Sequence, residues 1–582
     1  MAVPPPTHDL PPEVVRCGGQ RRLRWGNCEA EFDPAEGWLR RVRCGDVEMV
    51  RAIYGAVRDR NWETVPPRLR DVQIEQSDAA FRVSFAVECV APEIAFAWQG
   101  EIVGEKNGAL TFHFKGEAQT GFWQNRIGLC VLHPDDCAGA SCVVEHPDGT
   151  TSAGEFPHGI APRQLFKKVR AISHEAAPGV RLEVRFAGEI FETEDQRNWT
   201  DASFKTHGTP LAEPFPVWIE KGASIEQTVI VRNADTRVRS ALVRRTGVSA
   251  LRAVGEPRPP PPIGFGQPSH PAALTPHEAT LLRALRPAHL RVDLHLRDEA
   301  WRAHWQRAIA DAQAIGAALH VALFLTDDAE RELAMFASVH PEPVALWLVF
   351  HENEASTGTR WVRLAEAALP AGAVLAAGTN ANFDELNRTR PDPAGTALPC
   401  FSLNPQVHAF DDLSLIENLG AQAVTVASAR QFAPRPVVIS PITLRPRFNA
   451  VATTPDAPTP TPDPRQKSPF GAAWTVGSLA RLAALDGLHS LTYYETTGPS
   501  GLLRNGGVFP VYRVFAALAD CAGIVPTRSE DPRCFDGFCL VTREGRRRWV
   551  VANFTAELQR LRCAARQLEL EPYAVAQIES EN

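Results

Sequence analysis

The sequence lacks the features that direct a protein to a membrane, to nucleic acid or out of the cell. No apolar run approaches the length of a membrane span. The chain balances 61 Lys and Arg against 68 Asp and Glu, for a formal net charge of -7, so it has no basic surface for nucleic acid. The first six residues contain no basic region followed by an apolar one, which predicts no secretory signal. We therefore expect neither a nucleic-acid partner nor a membrane partner.

Cysteine is present but unpatterned. The 12 cysteines of the 582-residue chain include no Cys-x-x-Cys pair, so metal-finger spacing is absent, and a disulfide framework is not expected without a secretory signal. We interpret them as small buried apolar residues in a reducing cytoplasm. No Gly-x-Ser-x-Gly motif precedes a helix, which argues against a serine-hydrolase mechanism.

The length predicts two to four domains, and the 44% hydrophobic and 22% charged residues are typical of a globular protein. Residues 1–250 contain many short alternating runs, such as residues 81–87 and 110–115, and predict an antiparallel β-sandwich. A proline run at residues 259–262 indicates a linker. Residues 521–582 return to alternating patterns and predict a small C-terminal β domain.

Strands and helices alternate between these two regions, which predicts a (β/α)8 barrel over residues 251–520. Helical patterns lie between most strands, at residues 300–315, 361–368 and 415–427 among others. A Pro- and Thr-rich insert follows the seventh strand at residues 445–469. The eight predicted strand cores are residues 263–265, 289–294, 319–325, 345–350, 373–378, 400–404, 436–440 and 491–494.

Acidic side chains end two of the predicted strands. The fourth strand runs into Glu352 and Glu354, and the eighth into Glu495. Barrel chemistry occurs at the C-terminal ends of the strands, where two carboxylates can divide acid and base roles. We predict Glu495 and either Glu354 or Glu352 as the catalytic pair, and the sequence leaves the choice between the last two open. An ion pair to Arg445 or Arg504 is the structural alternative.

Other polar residues arrive at the same strand ends, and together they predict a pocket for a small molecule. Any one of them alone is better explained as a helix cap or a loop contact. The predicted substrate-binding residues are His351, Asn353, Asn380, Asn404, His408, Arg445 and Asp293.

A metal site would have to come from the same residues. His351, His408, Asp411 and Glu352 are ligand types, but none shows the close spacing that fixes a metal ion. We therefore predict no cofactor and no tightly bound metal, while a weak activating divalent cation stays compatible with the sequence.

Two polar segments lie in the predicted sandwich, at residues 58–62 and 194–201. Turns and ion pairs are the simpler explanation for them. Their density of Arg, Asp and Trp is also typical of a surface that binds a ligand or docks on another domain.

Several longer motifs resemble the D-apionate lactonase family. They include VRDRNW at residues 57–62, NRIGLCVLHP at 125–134, GTNANFDELNR at 378–388 and NPQVHAFD at 404–411. Residues 194–205, 464–466 and 470–474 also fit, so the resemblance covers nearly the whole chain. It implies hydrolysis of D-apionolactone to D-apionate, a step in the catabolism of the branched pentose apiose, with a sugar lactone as the small-molecule substrate.

Two other functions remain open at this point. A retaining glycoside hydrolase would have an Asn-Glu pair after the fourth strand, and Asn353 and Glu354 match that pattern. Its second Glu would follow the seventh strand, but here residues 440–443 are Ser-Pro-Ile-Thr. A carbohydrate-binding protein on a decayed barrel is the non-enzymatic alternative, and the converging carboxylates argue against it.

Overall fold

A computed structural model describes residues 13–14, 19–233, 248–338, 343–390, 395–454 and 457–580. The six N-terminal residues considered for a secretory signal, and residues 455 and 456 of the predicted insert, lie outside these ranges. The chain divides into two compact units. The first comprises Met1–Gln196, Ser203–Arg245 and Val451–Ala457, and the second Arg197–Ala202, Thr246–Ala450 and Pro458–Asn582.

The first unit is built from two antiparallel sheets. One has the order β1-β6-β7-β8-β9-β19-β15-β14-β11-β12, and the other β13-β16-β17-β10-β5-β4-β3-β2, with β18 beside β10. The strands are β1 (Glu13–Val14), β2 (Arg21–Trp25), β3 (Cys28–Asp33), β4 (Trp38–Cys44), β5 (Val47–Asp59), β6 (Pro67–Gln76), β7 (Phe81–Ala91), β8 (Ile94–Gly104), β9 (Leu110–Ala118), β10 (Phe122–Pro134), β11 (Ser141–Glu145), β12 (Thr151–Glu155), β13 (Phe166–Val169), β14 (Ala171–Ala177), β15 (Val180–Ala187), β16 (Phe191–Asp195), β17 (Ser203–Gly208), β18 (Val217–Ile219) and β19 (Ser224–Asn233).

The inner faces of both sheets share one aromatic-rich core, which confirms the predicted sandwich. Burial alternates along β7 because successive side chains of a strand point to opposite faces. Phe85 lies opposite Gly100 on β8, and a Cβ at Gly100 would come within 2.3 Å of the Phe85 ring. The glycine therefore makes room for the aromatic ring, which packs edge-on against Trp98 at 5.5 Å.

The second unit contains the predicted barrel. Its eight parallel strands close through the pairing of the first with the last. The strand preceding the barrel is β20 (Ala250–Ala253), and the barrel strands are β21 (Ile263–Gly266), β22 (His289–His295), β23 (Ala318–Leu325), β24 (Val344–His351), β25 (Leu375–Gly378), β26 (Leu398–Leu403), β27 (Val437–Ile442) and β28 (Leu488–Thr497). Two short strands, β29 (Gly501–Arg504) and β30 (Gly507–Val508), extend the sheet beyond β28.

Helices connect the barrel strands, as the sequence predicts. The first begins with a capping box, in which the Thr275 side chain accepts from the Glu278 backbone and the Glu278 side chain from the Thr275 backbone. None of the helices in the described ranges is long and apolar enough to cross a membrane. They are α1 (Pro276–Ala284), α2 (Trp301–Ile315), α3 (Ala329–Ala337), α4 (Thr359–Ala368), α5 (Phe383–Thr389), α6 (Asp412–Glu417), α7 (Leu419–Phe432), α8 (Pro469–Leu482) and α9 (Pro510–Ala516).

Alternation along the strands separates the barrel interior from the helix layer. On β24, Leu346, Leu348 and Phe350 join an interior cluster with residues from the neighbouring strands. Trp347 points the other way and packs against Phe336 of α3, with ring centroids 5.7 Å apart. Side chains of the same parity as Phe350 therefore face the barrel axis.

Histidines fill the N-terminal end of the barrel interior. The rings of His289 and His320 stack with centroids 3.7 Å apart, and His289 Nε2 lies 2.8 Å from Thr492 Oγ1. Burial lowers the pKa of His289 to about 3, and the same cause lowers the pKa of His320 well below its usual value. Both rings are therefore neutral at physiological pH.

The C-terminal β domain is a small sandwich of two four-stranded sheets, ordered β32-β20-β35-β36 and β31-β33-β34-β37. Its core contains Phe535, Trp549 and Leu561. β20 pairs with β32 and β35, so residues 250–253 add a strand to this domain. Its other strands are β31 (Cys521–Val525), β32 (Thr527–Ser529), β33 (Phe535–Thr542), β34 (Arg547–Asn553), β35 (Gln559–Cys563), β36 (Arg566–Leu570) and β37 (Val575–Ser580).

Candidate functional site

A cluster of charged side chains lies at the C-terminal ends of the barrel strands. Arg291 and Asp293 share the inward face of β22, and the Arg291 Nε donates to Asp293 Oδ1 at 2.8 Å. Arg291 is buried and also donates to the Ser440 carbonyl and hydroxyl on β27, at 2.5 and 3.0 Å. Its remaining nitrogen donates to Asn380 Oδ1 at 2.7 Å. One arginine therefore ties three strand ends together.

A second arginine reaches the same cluster from the insert after β27. Arg447 Nη1 donates to Asp293 Oδ2 at 2.7 Å, and its other terminal nitrogen donates to Asn380 Oδ1. Burial by itself raises the pKa of the Asp293 carboxyl, but the charges of Arg291 and Arg447 outweigh this and hold that pKa well below its usual value. Asp293 is therefore ionised at neutral pH.

Glu495 faces the same end of the barrel because β28 contains a bulge. Tyr493 and Tyr494 both point to α8, where their hydroxyls lie 2.8 Å from those of Ser478 and Thr475. Tyr494 has a φ of 44°, and the register with β21 shifts at this point. The extra residue reverses the alternation, so that Glu495 falls on the inward side with Thr492.

The environment of Glu495 suits an acid or base. Its Oε2 accepts from the backbone N–H and hydroxyl of Ser269 at 3.1 and 3.3 Å. Burial raises the pKa of the Glu495 carboxyl above its usual value, and it outweighs Ser269 and Arg447, which both lower that pKa. Asp293, also near enough to act on Glu495, adds to the increase. Two carboxyls of the cluster therefore have pKa values shifted in opposite directions.

Glu352 has the inward parity of Phe350 and belongs to a separate ion-paired group. Its Oε1 lies 2.9 Å from His295 Nδ1 and its Oε2 2.9 Å from Arg297 Nε. The carboxylate side chain is 9% exposed, whereas the His295 ring is 50% exposed and stacks on Phe324 at 4.2 Å. Glu352 thus presents an oriented imidazole to solvent at the strand ends.

Glu354 has the contacts of a loop residue. Its Oε2 accepts from the Gly358 N–H and its Oε1 from the Trp361 indole, each at 2.7 Å, which holds the turn before α4. The structure therefore separates Glu352 from Glu354, which the sequence left equivalent, because β24 ends at His351 and strand alternation no longer applies to Glu354.

Three predicted substrate-binding residues lie elsewhere than expected. His351 lies on the helix-facing side of β24, where its ring stacks on Trp361 at 4.3 Å, so it does not point into the barrel. Asn353 is exposed in the following turn. Arg445 donates to the carbonyl and hydroxyl of Thr461 at 3.2 Å, within its own loop.

His408 and Asn404 form a polar group after β26. His408 Nδ1 lies 2.6 Å from Asp201 Oδ2, and Asp201 Oδ1 accepts from Asn418 at 2.9 Å. Asn404 donates to Asn382 Oδ1 at 3.0 Å. Asp201 thereby fixes the orientation of the His408 ring.

The predicted polar segments have structural partners. Residues 197–202 belong to the barrel unit, where Asn387 of α5 donates to Asn198 at 2.9 Å. At residues 58–62, Asp59 Oδ1 accepts from the Asn61 and Glu63 N–H groups, each at 2.8 Å, which is a turn.

The ligand types considered for a metal have separate partners. Asp411 accepts from the Ser414 N–H and caps α6, while His351, His408 and Glu352 make the contacts given above. Across the described ranges, no three His, Cys, Asp or Glu side chains group in a way that could hold a metal ion.

The sequence pattern does not single out two of the functional candidates, Arg291 and Arg447. Arg291 lies inside a strand, and its only signal was that it shares strand parity with Asp293. Arg447 lies in an irregular loop two residues beyond Arg445, where no periodic pattern assigns a direction to a side chain.

The chain has a β-sandwich, a closed (β/α)8 barrel and a small second sandwich. The barrel carries, at its strand ends, two carboxyls whose pKa values are shifted in opposite directions. These features define a multidomain barrel enzyme. Profiles of the D-apionate lactonase N-terminal, TIM barrel and C-terminal immunoglobulin-like domains match residues 16–236, 263–523 and 532–578. The chain belongs to the D-apionate lactonase family.

The sequence is also similar to a curated D-apionate lactonase from Brucella anthropi. The two are 32% identical, and the match covers 94% of each chain.

Two solved structures resemble the chain distantly. A GH51 arabinofuranosidase from Xanthomonas axonopodis pv. citri has a TM-score of 0.40 and 12% identity, covering 57% of this chain and 95% of its own. A galactose mutarotase-like protein from Lactobacillus casei has a TM-score of 0.28 and 11% identity, covering 37% and 99%.

Proposed function

We propose that this protein hydrolyses a sugar lactone, D-apionolactone, to D-apionate in the catabolism of apiose. The observation that carries the proposal is the similarity to a protein named D-apionate lactonase over 94% of the chain, with all three domain profiles in order. The residues at the barrel mouth would supply the base and the hydrogen-bond donors that hydrolysis of an ester ring needs.

Glu495 is the proposed general base. Its raised pKa makes the ionised carboxylate a stronger base than an exposed glutamate, and the bulge of β28 turns it toward the barrel axis. In the first step Glu495 takes a proton from water while the water oxygen bonds to the lactone carbonyl carbon. The carbonyl electron pair moves to its oxygen, which gives a tetrahedral oxyanion.

The second step opens the ring. The oxyanion re-forms the carbonyl, the bond from carbon to ring oxygen breaks, and the leaving oxygen takes the proton that Glu495 holds. Water has then been added across the ester bond, and the product is a hydroxy acid that ionises at neutral pH. Glu495 returns to its starting state.

Neighbouring residues would orient the sugar. Asn380 accepts from two arginines through Oδ1, so its amide nitrogen is the proposed donor to the substrate. His408, held by Asp201, is a proposed contact for hydroxyl groups, and the Glu352–His295 pair is the proposed second acid/base group. The Asp293 carboxylate is proposed to hold the cluster together.

The charge and the cysteines of the chain bear on where the enzyme works. We propose that it works in the cytoplasm, without a cofactor, a tightly bound metal or a nucleic-acid partner. Among the described residues no disulfide joins the cysteines, which suits a reducing compartment, and the chain has nearly balanced charge.

The test is acid release from D-apionolactone and other pentonolactones by purified protein, compared with spontaneous hydrolysis. Glu495→Gln should lower kcat by about 10² to 10⁴-fold, the usual contribution of a general base. Glu354→Gln is the matched control, since that carboxylate holds a turn, and it should keep the parent kcat. Absence of turnover with every lactone, or activity on aryl glycosides instead, would overturn the proposal.

A further inference from the structure

The charged cluster carries more positive than negative charge once Glu495 is protonated. Arg291 and Arg447 share the Asp293 carboxylate, one at each oxygen. Two guanidinium groups against one carboxylate leave one positive charge, and a partly buried charge without a partner is unfavourable. The Arg447 charge acts on Glu495 and lowers its pKa, so an ionised Glu495 would balance that charge in the resting site.

Arg447 is the accessible member of the arginine pair. Its side chain is 31% exposed, whereas that of Arg291 is 2% exposed. Arg291 also uses its remaining nitrogens on Ser440 and Asn380. A ligand at the barrel mouth would therefore meet the Arg447 guanidinium rather than that of Arg291.

During the reaction the ligand becomes negatively charged at the moment when Glu495 loses its negative charge. The lactone is neutral, but the tetrahedral state is an oxyanion and the product is a carboxylate. When Glu495 takes the proton from water, the Arg447 charge loses its balancing carboxylate at the moment when the oxyanion forms. A positive group placed this way interacts more strongly with the transition state than with the substrate.

We propose that Arg447 binds the oxyanion and then the carboxylate of the aldonate product, so that the insert after β27 supplies the anion-binding group of the site. This inference rests on the proposed lactone hydrolysis. It assigns Arg447 a catalytic role and predicts that the enzyme is inhibited by its own product and by other aldonates, whose carboxylate matches the guanidinium geometry.

Three variants test it. Arg447→Gln removes the charge, and Arg447→Lys keeps the charge but loses the planar fork. Arg445→Gln is the matched control, because it removes an arginine from the same loop that contacts Thr461 and not the cluster. Thermal unfolding of each variant checks that the barrel is folded.

Two measurements separate the role in binding from the role in catalysis. Arg447→Gln should lower kcat by about 10²-fold, as expected for one oxyanion donor, while KM for the neutral lactone changes far less. Calorimetric titration with sodium D-apionate should show affinity weakened by about tenfold or more, with the parent binding more weakly at high salt. Arg447→Lys should have a kcat and an aldonate affinity between those of the parent and Arg447→Gln. Arg445→Gln should match the parent in both.

Equal aldonate affinity in the parent and Arg447→Gln, or no aldonate binding by the parent, would refute the inference. So would a rise in KM for the lactone as large as the loss of aldonate affinity, because that would show binding of the ground state. The titration needs no turnover. If no lactone is hydrolysed but aldonate binding depends on Arg447, the proposed function fails and the anion site stands.

Discussion

Replacing Asp293 with Asn removes the carboxylate that joins Arg291 and Arg447. Arg291 is 2% exposed, and its Nε donates to Asp293 Oδ1 at 2.8 Å. Breaking a buried ion pair by removing one partner costs about 3 to 5 kcal/mol, since the remaining charge stays buried. Arg447 adds little to this figure because its side chain is 31% exposed and solvent screens it.

The assay is calorimetric unfolding of the full chain. At roughly 2 °C per kcal/mol for a large unit, Asp293→Asn should lower the Tm of the barrel transition by about 6 to 10 °C. Asp327→Asn is the control, because Asp327 is 89% exposed and pairs with His351 only at 3.5 Å. If both variants shift the Tm equally little, the cluster does not depend on Asp293 as argued.

The pH dependence gives a second check. The Asp293 pKa is lower in the folded protein than its unfolded value of about 3.9. Its contribution to stability is therefore full above that pH and is lost as pH falls through the lower, folded value. The difference between parent and variant should be constant near neutrality and shrink in strong acid. The double variant with Arg447→Gln should recover only a little of the loss in Tm, since solvent already screens the Arg447 charge.

Three further outcomes are expected. Glu354→Gln should keep the parent kcat. It should lower the free energy of unfolding by about 1 kcal/mol, because the hydrogen bonds to Gly358 and Trp361 become weaker. A large fall in kcat would instead show that Glu354 is catalytic. His289 has a folded pKa of about 3, so stability is full above the unfolded pKa and falls as pH drops below about 6.5. In plots of the free energy of unfolding against pH, His289→Gln should reduce the acid decline by about 1.4 kcal/mol per pH unit. Parallel plots for the parent and the variant would contradict this expectation. Dialysis against a strong chelator should leave most lactonase activity, and complete loss restored by zinc or manganese would show a metal-dependent enzyme.

The barrel could be predicted because its signals are local and repeated. Buried parallel strands produce apolar runs, and all eight predicted cores overlap an observed strand. The predicted helix at residues 415–427 proves to be two, α6 and α7, which meet at Asn418. Asn418 is held there by Asp201, a contact over 217 positions that no window of sequence contains.

The site could be predicted only where a strand fixes the direction of a side chain. Asp293 and Glu352 continue the inward alternation of β22 and β24, and the structure gives both the polar partners expected at a barrel mouth. Glu352 is one residue past the end of β24, and farther along a loop the rule stops. Alternation gives Glu354 the same parity as Glu352, and Arg445 is predicted only because it follows the seventh strand. The direction of the Arg447 side chain depends on the path of an irregular loop.

Glu495 shows that the direction of a side chain can have a cause that the sequence does not display. Strict alternation from Thr492 would turn Tyr494 inward and Glu495 toward the helices. The bulge instead directs two consecutive tyrosines to hydroxyl partners on α8, with Tyr494 held at a φ of 44°, which is uncommon for an aromatic residue. Such a backbone persists when its surroundings hold it, and here the two buried tyrosine hydrogen bonds do so. The packing of α8 thus sets the direction of the carboxylate, so the helix layer, and not the strand alone, places the proposed base.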